Sequence, residues 1–239
     1  MSGLERVGYT DRGTALTGWL AKPHRPARGA LVLYPTIANV NAPMERRAAM
    51  LADAGFVVLI ADFYGQPVAS FEAAQTLAAE LRADVDHYRL RLSAAVSTLR
   101  GLDVAAHLAV GAVGYCMGGQ AILELARAGE DLILAASFHG ILDSGRRAVP
   151  DTAIRPRLLI CHGDADPLVP RSSVIAFWEE MDRAKANWHF HSYSGVRHGF
   201  TDPGSDARGL PAIGYDASAD RQSWAALMNL CDELFPPSP

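Results

Sequence analysis

Short apolar runs alternate with longer amphipathic stretches along most of this chain, and this alternation limits its possible folds more than any other feature. The apolar runs have the length of strands buried on both faces of a sheet, and they cover residues 30–34, 57–61, 107–115, 132–138 and 157–162. Residues 188–193 form a sixth run, in which apolar and polar residues alternate. The stretches with helical spacing cover residues 42–54, 71–82, 84–99, 118–128, 171–186 and 218–234. Residues 6–21 alternate around Asp11-Arg12-Gly13, which predicts a hairpin. The pattern predicts an α/β architecture with a mainly parallel central sheet of about seven to eight strands flanked by helices.

Composition and charge exclude several classes of protein. The chain has 239 residues, 49% of them apolar, and its 22 basic and 26 acidic residues give a formal net charge of −4. A disordered chain has lower hydrophobicity and higher net charge, and the lack of basic clusters argues against nucleic acid as a partner. No apolar run is long enough to span a membrane, and residues 1–6 lack the apolar core of a signal peptide. We expect one domain over residues 1–239, without a large cap domain, as a monomer or small homo-oligomer.

The cysteine content indicates a compartment. Cys116, Cys161 and Cys231 are too few for a disulfide framework, and the chain has no CxxC motif. This usage predicts the reducing cytoplasm. A cysteine in that setting is either a small buried hydrophobe or a nucleophile.

The segment Gly114-Tyr115-Cys116-Met117-Gly118-Gly119 lies directly after a predicted strand and directly before a predicted helix. This is the spacing of a nucleophile elbow with a thiol in place of the serine hydroxyl. Side chains in place of Gly114 or Gly118 would collide with the adjoining strand and helix. The N-terminus of the helix lowers the pKa of a thiol and stabilises anions. The motif predicts that Cys116 is a nucleophile, and the alternative is an ordinary glycine-rich turn with an inert cysteine.

A nucleophilic thiol needs a base, and the base needs an acid that orients it. In chains with such an elbow, the acid comes after the nucleophile and the histidine comes last. Asp164 and Asp166 both follow the fifth run, and Asp166 is the better candidate because Asp164 is placed to form the turn itself. His198 follows the sixth run and is the candidate base. Position and chain order therefore predict a Cys116–Asp166–His198 triad.

Two backbone N–H groups are expected to form the oxyanion hole of this triad. One belongs to Met117, the residue after the nucleophile, and the other to Ile37, in the loop after the run that ends at Tyr34. Neither assignment depends on the side chain.

The remaining histidines are weaker candidates for a role in the site. His139 follows the fourth run, which places it near the site. His189 and His191 share one face of a predicted strand. Because no cysteine or carboxylate accompanies this pair, we predict no metal site there.

These motifs carry a resemblance to a known family. The chain resembles the dienelactone hydrolase family of the α/β-hydrolase superfamily over nearly its whole length, from Leu31 to Trp224. The matching segments are residues 61–65, 114–119, 166–170, 198–200 and 215–224. The resemblance implies the α/β-hydrolase fold, a triad of Cys116, His198 and Asp166, and no cofactor.

The chain departs from the best-known members of that family at two positions. Thr36 stands where those members have a glutamate that contacts the resting thiol. Asp202 stands where they have an arginine that holds the substrate carboxylate. Because an acid repels a carboxylate, we expect neutral esters to react faster than carboxylate-bearing lactones. Arg82 and Arg197 are the alternative sources of a charge partner.

The sequence therefore predicts a carboxylic ester or lactone hydrolase that passes through an acyl-enzyme thioester on Cys116. Activated esters and enol lactones suit a thiolate nucleophile better than peptides do, since a thiolate leaves a tetrahedral intermediate more readily than an amine. Two alternatives stay open. One is a non-catalytic binding protein on the same scaffold. The other is a peroxide-reactive thiol protein with Cys161 as its resolving cysteine.

Overall fold

One mixed sheet forms the centre of the structure, a computed structural model that describes residues 3–150 and 152–236. Its strands are β1 (Glu5–Asp11), β2 (Thr14–Ala21), β3 (Gly29–Tyr34), β4 (Phe56–Ile60), β5 (Val110–Tyr115), β6 (Leu134–Phe138), β7 (Arg157–Gly163) and β8 (Trp188–Tyr193). The helices are α1 (Ala42–Asp53), α2 (Phe71–Ala83), α3 (Val85–Arg100), α4 (Met117–Arg127), α5 (Arg171–Arg183) and α6 (Ala217–Leu234).

The strand order confirms the predicted architecture. Within the described residues the sheet has eight strands in the order β1-β2-β4-β3-β5-β6-β7-β8. The pairs β1–β2 and β2–β4 are antiparallel, and all other neighbours are parallel. Helices lie in the connections between consecutive parallel strands except the one from β6 to β7, and the carboxyl ends of β3 to β8 meet at one edge of the sheet.

Helices cover both faces of the sheet, which explains why its central strands are apolar throughout. In β3, Val32 and Tyr34 belong to a core shared with α3, α4 and α5. Leu31 and Leu33 belong to the core on the other face, shared with α1 and α6. Because side chains alternate between the faces of a strand, a strand buried on both faces has no polar side.

The ends of the predicted elements differ from the structure in a few places. The hairpin is confirmed, with Arg12 and Gly13 at positive φ between the paired residues Asp11 and Thr14. The strand predicted over residues 107–115 is β5, and it begins at Val110 rather than at His107. His107 has a φ of 65°, which a strand does not accommodate.

The irregular segment over residues 140–150 is tied to the helices beside it. Arg127 in α4 donates to the carbonyl of Leu142 at 2.7 Å. Glu180 in α5 accepts from the N–H of Ala148 at 2.7 Å and also pairs with Arg127. Arg127 and Glu180 are both buried. These contacts hold the segment against α4 and α5.

Candidate active site

Loops at the carboxyl ends of four parallel strands converge on one cavity of about 790 Å³. Ile37 follows β3, Cys116 follows β5 and His198 follows β8, and all three line the cavity. Asp166 follows β7 and lies behind His198. Ligand sites of open α/β sheets lie at this edge, so the fold brings the predicted residues to the expected place.

Cys116 occupies the turn between β5 and α4 with a left-handed backbone, at φ 56° and ψ −114°. Its N–H donates to the carbonyl of Phe138 at 3.0 Å, which ties the turn to β6. A Cβ atom at Gly114 would collide with the backbone of Gly118, and one at Gly118 would collide with the carbonyl of Tyr34. The two glycines are therefore needed because the helix starts in contact with β5 and β3, as the elbow motif predicts.

His198 is held by Asp166. The ring nitrogen Nδ1 of His198 lies 2.7 Å from Oδ2 of Asp166, and both side chains are buried. The other carboxylate oxygen, Oδ1, accepts from the N–H of Leu168 at 2.9 Å. Asp164, the competing acid in the sequence, pairs with Arg171 at 2.6 Å. Asp166 is thus the carboxylate that orients the imidazole.

The Cys116 thiol and the His198 imidazole change each other's acidity. Burial opposes ionisation of the thiol, but the positive charge of His198 lowers the pKa of Cys116 below its usual value. Burial likewise disfavours the imidazolium, but the Cys116 thiolate and the Asp166 carboxylate raise the pKa of His198 to about 10. The coupling between Cys116 and His198 is one of charge, because Nε2 of His198 has no hydrogen-bond partner among the described residues. Each charge favours the other, so the arrangement favours a thiolate–imidazolium pair.

The predicted oxyanion-hole residues Ile37 and Met117 line the same cavity as Cys116. Their backbone N–H groups contribute to the lowered pKa of the thiol. Tyr64 connects the two segments, since its hydroxyl lies 3.0 Å from the carbonyl oxygen of Ile37 and 3.3 Å from the sulfur of Met117. The donors are therefore fixed with respect to each other.

Asp62 holds the loop that carries Ile37. Its carboxylate accepts from the side chain of Asn39 at 2.8 Å and from the N–H groups of Thr17, Tyr64 and Gly65, each at 2.9 Å. Sequence reasoning used residues 61–65 only as a mark of the family and missed this role. The sequence feature that could have indicated this role is an acid that directly follows a buried strand, at the edge of the sheet where the site forms.

Charges in the cavity are arranged differently from what the sequence suggested. Thr36 and Asp202 both line the cavity, as expected. Asp202 forms an ion pair with Arg208, however, so its charge is compensated. Arg82 also lines the cavity and forms no salt bridge within the described residues, whereas Arg197 bonds to Pro211 outside it. The expectation that Asp202 repels a substrate carboxylate did not include this partner, and it stays a prediction.

His139 lies in the cavity wall next to His198. The two rings meet edge to face, with their centroids 5.1 Å apart, and Nε2 of His139 lies 2.9 Å from the hydroxyl of Thr201. Burial and the charges of His198 and Arg47 lower the pKa of His139 well below its usual value. A neutral ring therefore packs against the charged one.

Among residues 3–150 and 152–236, no cluster of histidine, cysteine or acidic side chains is suited to a metal ion. In the same residues, no helix has both the length and the apolar character needed to cross a bilayer.

Comparison with known proteins identifies the family. The sequence model of the dienelactone hydrolase family matches residues 16–235. The chain belongs to the dienelactone hydrolase family. Its structure is similar to that of the dienelactone hydrolase-like promiscuous phosphotriesterase P91 from metagenomic libraries, with 33% identity, a TM-score of 0.88 and coverage of 97% of this chain and 98% of the other. A structure described as m3DLH gives 32% identity and a TM-score of 0.89 over the same shares of the two chains.

Two curated relatives match this dienelactone hydrolase family member over most of their own length. An uncharacterised protein of Caenorhabditis elegans is 36% identical over 61% of this chain and 92% of its own. A probable 2-oxo-3-(5-oxofuran-2-ylidene)propanoate lactonase of Bradyrhizobium sp is 26% identical over 85% of this chain and 86% of its own. The protein is an ester or lactone hydrolase with the α/β-hydrolase fold, as the sequence predicted.

Proposed function

We propose that this hydrolase cleaves small esters or lactones with Cys116 as the nucleophile, His198 as the base and Asp166 as the orienting acid. The observation that carries the proposal is the position of His198. Its ring bonds to the Asp166 carboxylate at 2.7 Å, it lines the same large cavity as Cys116, and the charge of Cys116 contributes to its raised pKa. A base placed between an acid and a nucleophile is the arrangement that acyl transfer needs.

The proposed cycle has two halves. The Cys116 thiolate attacks the carbonyl carbon, and the N–H groups of Met117 and Ile37 stabilise the oxyanion. The carbon–oxygen bond to the leaving alcohol then breaks, and the alcohol takes its proton from the His198 imidazolium, which leaves a thioester on Cys116. In the second half His198 removes a proton from water, and the resulting hydroxide releases the acid and regenerates the thiolate.

The charge in the cavity bears on the substrate. Because Arg208 compensates Asp202 and Arg82 has no acidic partner among the described residues, the cavity accepts a carboxylate-bearing lactone as well as a neutral ester. Similarity to the Bradyrhizobium lactonase supports a lactone as one substrate. We therefore propose that both kinds of substrate are turned over, and a faster rate with neutral esters stays a prediction.

The environment of Cys161 favours hydrolysis over peroxide chemistry. A resolving cysteine must reach the reactive thiol and ionise. Cys161 is fully buried in β7, and burial raises its pKa to about 12. We propose that it packs the core, and peroxide consumption that depends on Cys161 would contradict this.

The experiment that tests the function compares wild type with Cys116→Ala on p-nitrophenyl acetate, a neutral enol lactone and a dienelactone. Wild type is expected to turn over at least one of them, and the variant is expected to lose at least a thousandfold in kcat. Cys231→Ala is the matched control, because Cys231 lies on the buried side of α6, outside the cavity. Equal activity of Cys116→Ala and wild type would overturn the triad.

Several statements rest on the sequence alone. The single domain over residues 1–239, the cytoplasmic location and the monomeric or small homo-oligomeric state stay predictions. Independence from a cofactor and from nucleic acid also stays a prediction, which the purified enzyme tests directly.

A further inference from the structure

Apolar side chains stand exposed where the cavity opens. Phe71 is 53% exposed, Leu168 is 52% exposed and Leu210 is 39% exposed, and all three line the cavity that contains Cys116. They come from three separate segments, namely the start of α2, the loop after β7 and the loop before α6. We call these three residues the apolar mouth.

Hydrogen bonds of the backbone fix the apolar mouth in place. The N–H of Leu168 donates to the Asp166 carboxylate at 2.9 Å, so Leu168 is held by the proposed triad. The carbonyl of Leu210 accepts from Ile213 at 3.0 Å in a segment that is also bonded to His198. Phe71 is the first residue of α2, whose N-cap side chain at Ser70 accepts from Ala73. The mouth is therefore preformed.

The walls below the mouth continue the apolar surface. Ile37, Val68, Ile141 and Ile213 line the same cavity. The volume of about 790 Å³ lies in the upper part of the range for pockets that bind drug-sized ligands, about 300–1,000 Å³. A small lactone would leave the mouth in contact with water, and exposed apolar patches of this kind mark binding sites.

We propose that the apolar mouth binds an extended apolar group of the substrate, so that the preferred substrates are esters with a medium-length alkyl or an aryl substituent. The inference rests on the proposed function in taking the Cys116 cavity as the substrate site. The occupant is the substrate, because the mouth is continuous with that cavity through an apolar wall. Removing such a group from water contributes affinity in proportion to the apolar area that is covered.

The first test follows kcat/KM along p-nitrophenyl acetate, butyrate, hexanoate and octanoate. Each half-buried methylene is expected to raise kcat/KM about twofold, which gives about tenfold or more from acetate to hexanoate, mainly through KM. Phe71→Ser and Leu168→Ser are expected to lower kcat/KM for the hexanoate at least fivefold more than for the acetate. Ile175→Ser is the matched control, since Ile175 is equally exposed on α5 but lies outside the cavity.

The second test does not require hydrolysis. It measures the rate at which N-methyl-, N-butyl- and N-hexylmaleimide modify Cys116, with each rate divided by the rate for a small free thiol and the modified residue identified by mass spectrometry. Wild type is expected to react at least fivefold faster with the hexyl than with the methyl compound, and Phe71→Ser is expected to lose this preference. A failure of ester turnover with the maleimide preference intact would overturn the proposed function and support the mouth.

Other outcomes would overturn the proposal that the apolar mouth binds the substrate. These are ester turnover without a dependence on chain length, equal losses for acetate and hexanoate in the variants, or no reaction of any maleimide at Cys116. If Phe71→Ser instead dissociates an oligomer in size-exclusion chromatography and the chain-length dependence persists, the three side chains form an interface between copies, and the inference is wrong.

Discussion

At the scale of single residues, the chemistry depends on which of two opposing effects controls the Cys116 thiol. Burial alone would raise its pKa, as it does for the thiols of Cys161 and Cys231, each to about 12. The charge of His198, together with two backbone N–H groups, reverses this direction at Cys116. The thiol of Cys116 thus differs from those of Cys161 and Cys231 through its neighbours.

This comparison predicts the pH dependence of alkylation. The thiolate is lost as pH falls through the lowered pKa of Cys116, and the imidazolium is lost as pH rises through about 10. Iodoacetamide should therefore modify Cys116 at a nearly constant rate between these limits, whereas an ordinary thiol reacts faster with each pH unit up to about 8.5. Mass spectrometry of the Cys116 peptide between pH 5 and 10 measures the rate.

The matched variant for the alkylation profile is His198→Ala. Removing the imidazolium should raise the pKa of Cys116 and slow alkylation at pH 6.5 by at least tenfold, with a smaller difference at high pH. The thiolate–imidazolium pair would be contradicted if wild type showed the pH dependence of an ordinary thiol. It would also be contradicted if His198→Ala kept the wild-type pH dependence.

At the scale of elements, the turn after β4 positions the loop after β3. Four donors converge on the Asp62 carboxylate, and one of them is the side chain of Asn39, two residues beyond Ile37. The proposed oxyanion hole is therefore supported by a segment that contributes no proposed donor to it. Such a support affects the transition state more than the bound substrate.

Asp62→Ala is expected to lower kcat for a good ester substrate by about 10- to 100-fold, because the Ile37 N–H loses its fixed position. KM should change less than kcat, and Asp62→Asn, which keeps one acceptor oxygen, should recover part of the loss. Asp103→Ala controls for removal of an acid elsewhere. Steady-state kinetics on variants with intact circular dichroism measures the effect, and a rise in KM at constant kcat would contradict it.

At the scale of the whole molecule, a buried ion pair joins segments that are far apart in the chain. Arg47 in α1 pairs with Asp220 in α6 and donates to the carbonyl of Thr201 at 2.8 Å. Thr201 contacts His139, which packs against His198. The matching segment at 215–224 therefore marks a structural connection behind the site.

Asp220→Ala is expected to reduce the free energy of unfolding by about 3–5 kcal/mol, because it leaves Arg47 buried and unpaired. The melting temperature should fall by about 10 °C for a chain of this size. The double variant Arg47→Met with Asp220→Leu should lose less free energy of unfolding than Asp220→Ala alone, because no buried charge is left unpaired. Thermal unfolding measures the shifts, with the exposed pair of Asp86 and Arg146 as control. If Asp220→Ala lowers the melting temperature no more than Asp86→Ala does, the stabilising role of the Arg47–Asp220 pair is contradicted.

The strands and helices were largely predictable because their signals are local. A run such as residues 57–61 needs only its own apolar side chains to indicate a buried strand. The ends were less accurate where one residue has an unusual backbone, as at His107, since no neighbour in the sequence indicates a positive φ. The elbow was predictable for the opposite reason, because its two glycines mark the close packing that surrounds Cys116.

By itself the sequence determined the class of fold, the elbow and the order of the proposed catalytic residues, since each of these depends on neighbours within a few residues or on order along the chain. Only the tertiary structure decided that Arg208 compensates Asp202, that Asp62 supports the oxyanion loop, and that an apolar mouth opens above Cys116. These features arise where loops from different strands meet. Their distances depend on strand order and twist, which local composition does not encode.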